Sequence, residues 1–136
     1  MAMLKSANVV IKRLFLTILL LGSCQVFASE QKVTGTYSSL EYNRESGDLL
    51  GYEVLIIPTD VGYKAIVQVG EGAPGQVYIV DVRKKGANIG FDIPISPALN
   101  ESFSGHIDGG VLVGDVLSPS GKQHVQLRRG MSYWDK

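Results

Sequence analysis

The stretch Phe103-Ser104-Gly105-His106-Ile107-Asp108-Gly109-Gly110-Val111-Leu112-Val113-Gly114-Asp115-Val116 decides the fold. Gly109-Gly110 suits a two-residue primed turn, whose central positions need φ > 0. Such a turn sets Ile107 opposite Leu112, Gly105 opposite Gly114 and Phe103 opposite Val116. Every apolar residue of that set then lands on one side, and a slip of one residue would scatter them over both. Turn chemistry and alternation therefore specify the same antiparallel hairpin. Its paired glycines leave a notch that either opens a cavity or receives a ring from a neighbouring aromatic.

The same pattern extends in both directions. Tyr52, Val54 and Ile56 alternate with polar neighbours, as do Ala65, Val67 and Val69. A loop at Thr59-Asp60-Val61-Gly62 sets Ile56 opposite Ala65, Val54 opposite Val67 and Tyr52 opposite Val69, with Leu55 and Ile66 paired on the outer face. Tyr78, Val80 and Val82 face inward against Ile89, Phe91 and Ile93 around a Gly86-Ala87 turn. Further strands are expected at 33–42 and 122–129, an irregular break or lid at 94–100, and a loop at 70–75. Short strands at regular spacing with turn residues between them predict an all-β domain. Eight sequential antiparallel strands close an up-and-down barrel, with a small β-sandwich as the alternative.

The N-terminus has a different character. Lys5, Lys12 and Arg13 precede a nearly unbroken apolar run from Leu14 to Leu21, and small residues follow. This is the layout of a signal peptide, too short to span a membrane as a helix of roughly 20 residues. Cleavage after Ala28 gives a signal helix over 1–28 and a single domain over 29–136. The competing reading is a lipobox at Leu21-Gly22-Ser23-Cys24, with lipid on Cys24. The residues after Cys24 are apolar where a lipoprotein continues with a polar tether, which favours cleavage after Ala28. The expected location is the periplasm or the exterior, or the outer membrane through Cys24; contact with a membrane is expected only in the lipidated case.

Charge follows this division. The 13 acids all lie from Glu30 onward, whereas three of the 13 bases precede it, so the mature chain carries a net −3. A mildly acidic surface without a basic face argues against nucleic-acid binding. The lone cysteine excludes an internal disulfide, and packing with sheet hydrogen bonding must hold the domain together.

Several residues resemble the calycin-like small barrels, the avidin and lipocalin group. Gly35-Thr36-Tyr37 opens the first strand where that group has Gly-x-Trp, with Tyr37 in the place of Trp. The strands 103–107 and 112–116, Phe-x-Gly-x-Ile and Leu-x-Gly-x-Val, are similar to the glycine-containing strands of such barrels. Leu127-Arg128-Arg129 stands where the group carries a base that packs on the first-strand aromatic, and Ser132-Tyr133-Trp134 resembles the tail of exported bacterial barrels. The resemblance implies a barrel fold, and a fold does not by itself imply a function. The parity of Arg129 independently turns its stem inward near a barrel end, beside Tyr37 or Trp134, with an ordinary surface arginine beyond a frayed strand end as the alternative.

Catalytic and metal chemistry find little support. Ser104, His106 and Asp108 alternate on one outer face with Asp115 opposite Ser104. Alternate strand side chains stand about 6.5–7 Å apart and parallel, so they cannot converge as a triad. His106 and His124 fall on non-adjacent strands, a poor arrangement for a metal. No catalytic residue, metal or cofactor is expected. The expected function is binding without catalysis, most directly of a small apolar or aromatic ligand by Tyr37, Tyr52, Tyr78, Phe91, Phe103 and Arg129. The alternative is a partner-binding module, such as a periplasmic inhibitor or an envelope accessory protein.

Overall fold

A computed structural model of the chain describes residues 32–135. The expected signal segment, Cys24 and the Ala28 cleavage site lie outside the described residues. The strands are β1 (Gly35–Ser38), β2 (Glu41–Tyr42), β3 (Leu49–Thr59), β4 (Gly62–Gly72), β5 (Pro74–Lys85), β6 (Asn88–Ser96), β7 (Leu99–Asp108), β8 (Val111–Ser118) and β9 (Gly121–Gly130), followed by a 3₁₀ turn at Tyr133–Asp135. Consecutive strands from β3 to β9 pair antiparallel, and β1 pairs with both β9 and β3. Eight strands thus close a barrel, with β2 a two-residue addition beside β3. Closure leaves a single continuous sheet in place of the two of a sandwich, and removes most exposed edges.

The deciding hairpin has the expected register, Phe103 facing Val116, Gly105 facing Gly114 and Ile107 facing Leu112. Gly109 and Gly110 take φ of 52° and 84°, the signature of a type I′ turn. The pairs Ile56–Ala65, Val54–Val67, Tyr52–Val69 and Leu55–Ile66 also form as expected.

Four local expectations are corrected. The strand expected over 33–42 divides after Ser38, because Ser38 Oγ accepts a hydrogen bond from Leu40 N (3.2 Å) and Ser39 Oγ one from Tyr52 N (3.1 Å). Serine side chains here satisfy backbone groups that a continuous ladder would use. Thr59 pairs with Gly62, so that connection tightens to the two residues Asp60-Val61. The loop expected at 70–75 shrinks to Ala73 with a register shift between Gln68 and Gly70. The irregular piece expected at 94–100 is strand, since Pro94 pairs with Asn100 and Ser96 with Leu99 across a register shift.

The place where the sheet parts lies instead between β5 and β6. Only Arg83, Lys84 and Lys85 pair, with Gly90, Ile89 and Asn88 respectively. Continuing that register would set Asp81 opposite Asp92, and like charges directly opposite destabilise a pair. Each aspartate is neutralised elsewhere, Asp81 by Lys64 (2.6 Å) and Asp92 by Arg83 (2.6 and 3.1 Å). Arg83 and Ser102 together hold the Asp92 carboxyl below its ordinary value. Pro94, two residues further, has no N–H to donate.

The core is a tight set of Val, Ile and Leu around Phe91 and Phe103, whose rings stack at 4.8 Å. Fully burying each such aliphatic or aromatic side chain contributes about 1.5–3 kcal/mol. On the outside, the tail is pinned to the wall. Glu53 accepts hydrogen bonds from Ser132 Oγ and from Tyr133 N (2.7 Å), and Trp134 Nε1 donates to Gln68 Oε1 (2.8 Å).

Candidate functional site

The two barrel ends differ. The turns Asp60-Val61, Gly86-Ala87 and Gly109-Gly110 surround a closed end, which Tyr37 and Arg129 seal. Tyr37 is fully buried, and its hydroxyl donates to Val33 O at 2.8 Å. The Arg129 guanidinium stands 4.9 Å over the Tyr37 ring, donates to Thr34 O at 2.8 Å, and also bonds Lys32 O and the Tyr37 hydroxyl. Arg129 thus meets Tyr37 rather than Trp134. Burial pushes the Tyr37 hydroxyl up from its ordinary value, against the opposing pull of Arg129.

Phe91 and Phe103 occupy the middle. The Phe103 ring lies over the glycine notch, since a Cβ on Gly114 would meet Phe103 Cζ at 2.7 Å and one on Gly105 would meet it at 2.8 Å. The notch therefore receives a ring rather than opening a cavity. What remains inside is an apolar void of about 10 Å³, touched by Tyr52, Val67, Phe91, Phe103 and Leu127. That is at the lower limit of the space one water needs.

The other end is open. Tyr52 and Tyr78 stand there, half-buried against the core. A cleft of about 580 Å³ runs from Asp48 and Tyr52 past Val69 and Glu71 to Gln123. A second, of about 330 Å³, runs from Val69 and Glu71 past Tyr78 to Ile95 and Glu101. They share Val69 and Glu71 and so form one mouth, which extends sideways into the parting between β5 and β6. The Tyr52 hydroxyl reaches Gln123 Oε1 at 3.4 Å across the gap left by the short β1.

Of the six expected binding residues, the structure places Tyr37 and Arg129 at the seal, Phe91 and Phe103 in the packed middle, and Tyr52 and Tyr78 at the mouth. Sequence reading missed Glu71 and Glu101. Burial, and then the charge of Glu71, pushes the Glu101 carboxyl up from its ordinary value. Burial, and then Glu101 and Glu71, does the same to the Tyr52 hydroxyl. Neither glutamate makes an ion pair among the described residues. The mouth is thus an aromatic cleft with unneutralised negative charge, suited to a cationic or amphipathic group.

This has a measurable consequence. A carboxyl whose folded pKa is raised favours folding in its protonated form, so its stabilising contribution is complete at acid pH and is lost as pH rises through the folded pKa. Glu101→Gln is therefore expected to melt above the parent at pH 7 and level with it near pH 3, below the ordinary carboxylate range. An equal displacement at both pH values in thermal melts would break the link to charge.

On the outer face, Asp115 binds Lys122 Nζ at 2.9 Å and His124 Nδ1 at 3.0 Å, and these bonds hold its carboxyl below the ordinary range. His106 lies one strand further away, on β7, facing Val113 of β8. Among the described residues no group of three His, Cys, Asp or Glu side chains converges.

Comparison with family models, with curated proteins and with solved structures finds no match for this chain. The closed antiparallel barrel agrees with the architecture implied by the calycin resemblance, and no family assignment follows from the comparisons.

Proposed function

We propose that this chain is an exported, non-enzymatic binding module that engages a protein partner at its open end, of the kind an envelope inhibitor or accessory protein would use. The observation that carries this reading is the contrast between a void of about 10 Å³ inside and clefts of about 330 and 580 Å³ at the mouth. Pockets for drug-sized ligands run to about 300–1,000 Å³ and enclose most of the ligand. The interior has no room for one, and the clefts at the mouth are open to solvent and enclose little. Tyrosines beside uncompensated carboxylates suit a basic partner surface, and tyrosine is among the residues that dominate interface energetics. Export rests on the N-terminal pattern of bases, apolar run and small residues.

Native mass spectrometry of protein purified from its host envelope tests this directly. The expected spectrum is the bare chain together with a complex containing a partner protein. Glu71→Lys with Tyr78→Ala is expected to weaken that complex at least tenfold, about 1.4 kcal/mol, while Val61→Ser, in the exposed turn at the closed end, leaves it intact. A retained small molecule with no protein partner would overturn the proposal.

A further inference from the structure

β5 carries hydrogen-bonding groups that no strand among the described residues uses. Gly86-Ala87 is a two-residue turn with φ positive only at Gly86 (60°), the type II′ arrangement. The residues flanking such a turn, Lys85 and Asn88, exchange both their backbone hydrogen bonds. Direction alternates along a strand, so Arg83, Asp81, Ile79 and Val77 point their N–H and C=O groups toward β6. Arg83 finds Gly90 there, whereas among the described residues Asp81, Ile79 and Val77 pair only with β4, on the opposite side. On β6 the matching positions are Asp92, a like charge to Asp81 held by Arg83, and Pro94, which has no donor. The parting is thus written into both strands.

The side chains around this free edge specify an occupant. Val77 (51% exposed) and Ile79 (69% exposed) turn outward, forming an apolar outer face beside the edge. Tyr78 turns inward to the 330 Å³ cleft that ends on Glu71 and Glu101. A strand added to β5 would lay one set of alternate side chains over Val77 and Ile79, and pass the other set into the cleft.

We infer that the β5 edge accepts an extended peptide segment of the partner by strand addition, with apolar residues over Val77 and Ile79 and alternating basic residues whose stems run along Tyr78 and Ile95 to Glu71 and Glu101. This rests on the partner-binding reading of the open end and adds the mode and chemistry of recognition. Arginine suits the inner positions, since its guanidinium stacks on a tyrosine face and pairs with carboxylates.

Amide hydrogen exchange by NMR on the full mature chain, with an acetylated and amidated (Val-Arg)₄ peptide as probe and (Val-Glu)₄ as its charge-reversed counterpart, tests the inference. In the free protein the amides of Val77, Ile79 and Asp81 are expected to exchange about 100-fold faster than those of Tyr78, Val80 and Val82. The Val-Arg peptide is expected to slow the first three about tenfold or more, with the Val-Glu peptide binding at least tenfold more weakly. Ile79→Pro removes one edge donor and Ile79→Lys sets a charge on the apolar face; each is expected to cost at least tenfold in peptide affinity. Since proline can disturb the strand, the lysine variant alone suffices as a test. Edge amides already protected in the dilute monomer, or protected only as protein concentration rises through pairing with a second copy, would overturn the inference. So would peptide binding that leaves those three amides unchanged; loss of that binding in Glu71→Lys would then leave the open-end reading standing without the strand-addition mode.

Discussion

Tyr37→Ala is expected to destabilise the barrel by about 3–5 kcal/mol, the range for removing a large buried aromatic. Tyr37 is fully buried on β1, a strand of four residues that joins β3 to β9 and so completes the ring of strands. Its truncation empties the closed end, removes the ring under Arg129 and strips Val33 O of its 2.8 Å donor. A domain of this size has about 5–15 kcal/mol in total, so the loss takes a large fraction of it. Tyr37→Phe separates the parts: it keeps the ring and loses the hydroxyl, for about 1–3 kcal/mol. Arg129→Ala removes the stacked cation, worth about 0.5–2 kcal/mol, together with its bonds to Thr34 O and Lys32 O. Because Tyr37 and Arg129 touch, Tyr37→Phe and Arg129→Ala should be non-additive in urea unfolding. A loss below about 1.5 kcal/mol for Tyr37→Ala would show that closure does not depend on this seal.

Gly105→Ala is expected to cost about 3 kcal/mol, the upper end for overpacking a core. A Cβ there would stand 2.1 Å from Val113 O and 2.7 Å from Gly114 Cα, both backbone atoms, and 2.8 Å from Phe103 Cζ. Moving the ring alone cannot relieve it, so Phe103→Leu should not rescue Gly105→Ala. Gly130→Ala supplies the contrast, since nothing lies within 4 Å of its Cβ and its φ is not positive. Its effect should stay within about 0.5 kcal/mol. Rescue by Phe103→Leu in chemical denaturation would place the clash in the ring and refute the close backbone approach.

The parts of the fold that were legible in the sequence share one property: two local signals agree there. At 103–116 a Gly-Gly turn and an alternating pattern fix the same register, and at 52–69 alternation fixes the pairing even though the connection is tighter than expected. Over 94–100 and at the end of β1 no second signal was available, and the expectation failed. The stretch 94–100 reads as an irregular break, yet Pro94 lies within β6 and Pro97 in the two-residue turn after it. The serines at 38 and 39 gave no sign that they would end β1, because the partner of Ser39 Oγ, Tyr52 N, lies on another strand.

The site was half legible for the same reason. Tyr52 and Tyr78 could be assigned to the inward face by alternation. Glu71 and Glu101 could not be singled out, since one lies in a glycine-rich segment and the other near a strand start. Their common cleft exists only once β4, β5, β6 and β7 are in place. That the strands around Gly86-Ala87 stop pairing beyond Arg83 and Gly90 is likewise visible only in the closed sheet.

The sequence by itself determined the strand count of the barrel, its antiparallel order and most inward faces, because turn chemistry and a period of two act within a few residues. Tertiary structure alone decided that the interior is filled, that Tyr37 and Arg129 seal one end, and that β5 keeps an edge unpaired among the described residues beside an acidic mouth. Those outcomes depend on which side chains meet across strands far apart in the chain, and closure of the ring, not any local preference, sets those distances.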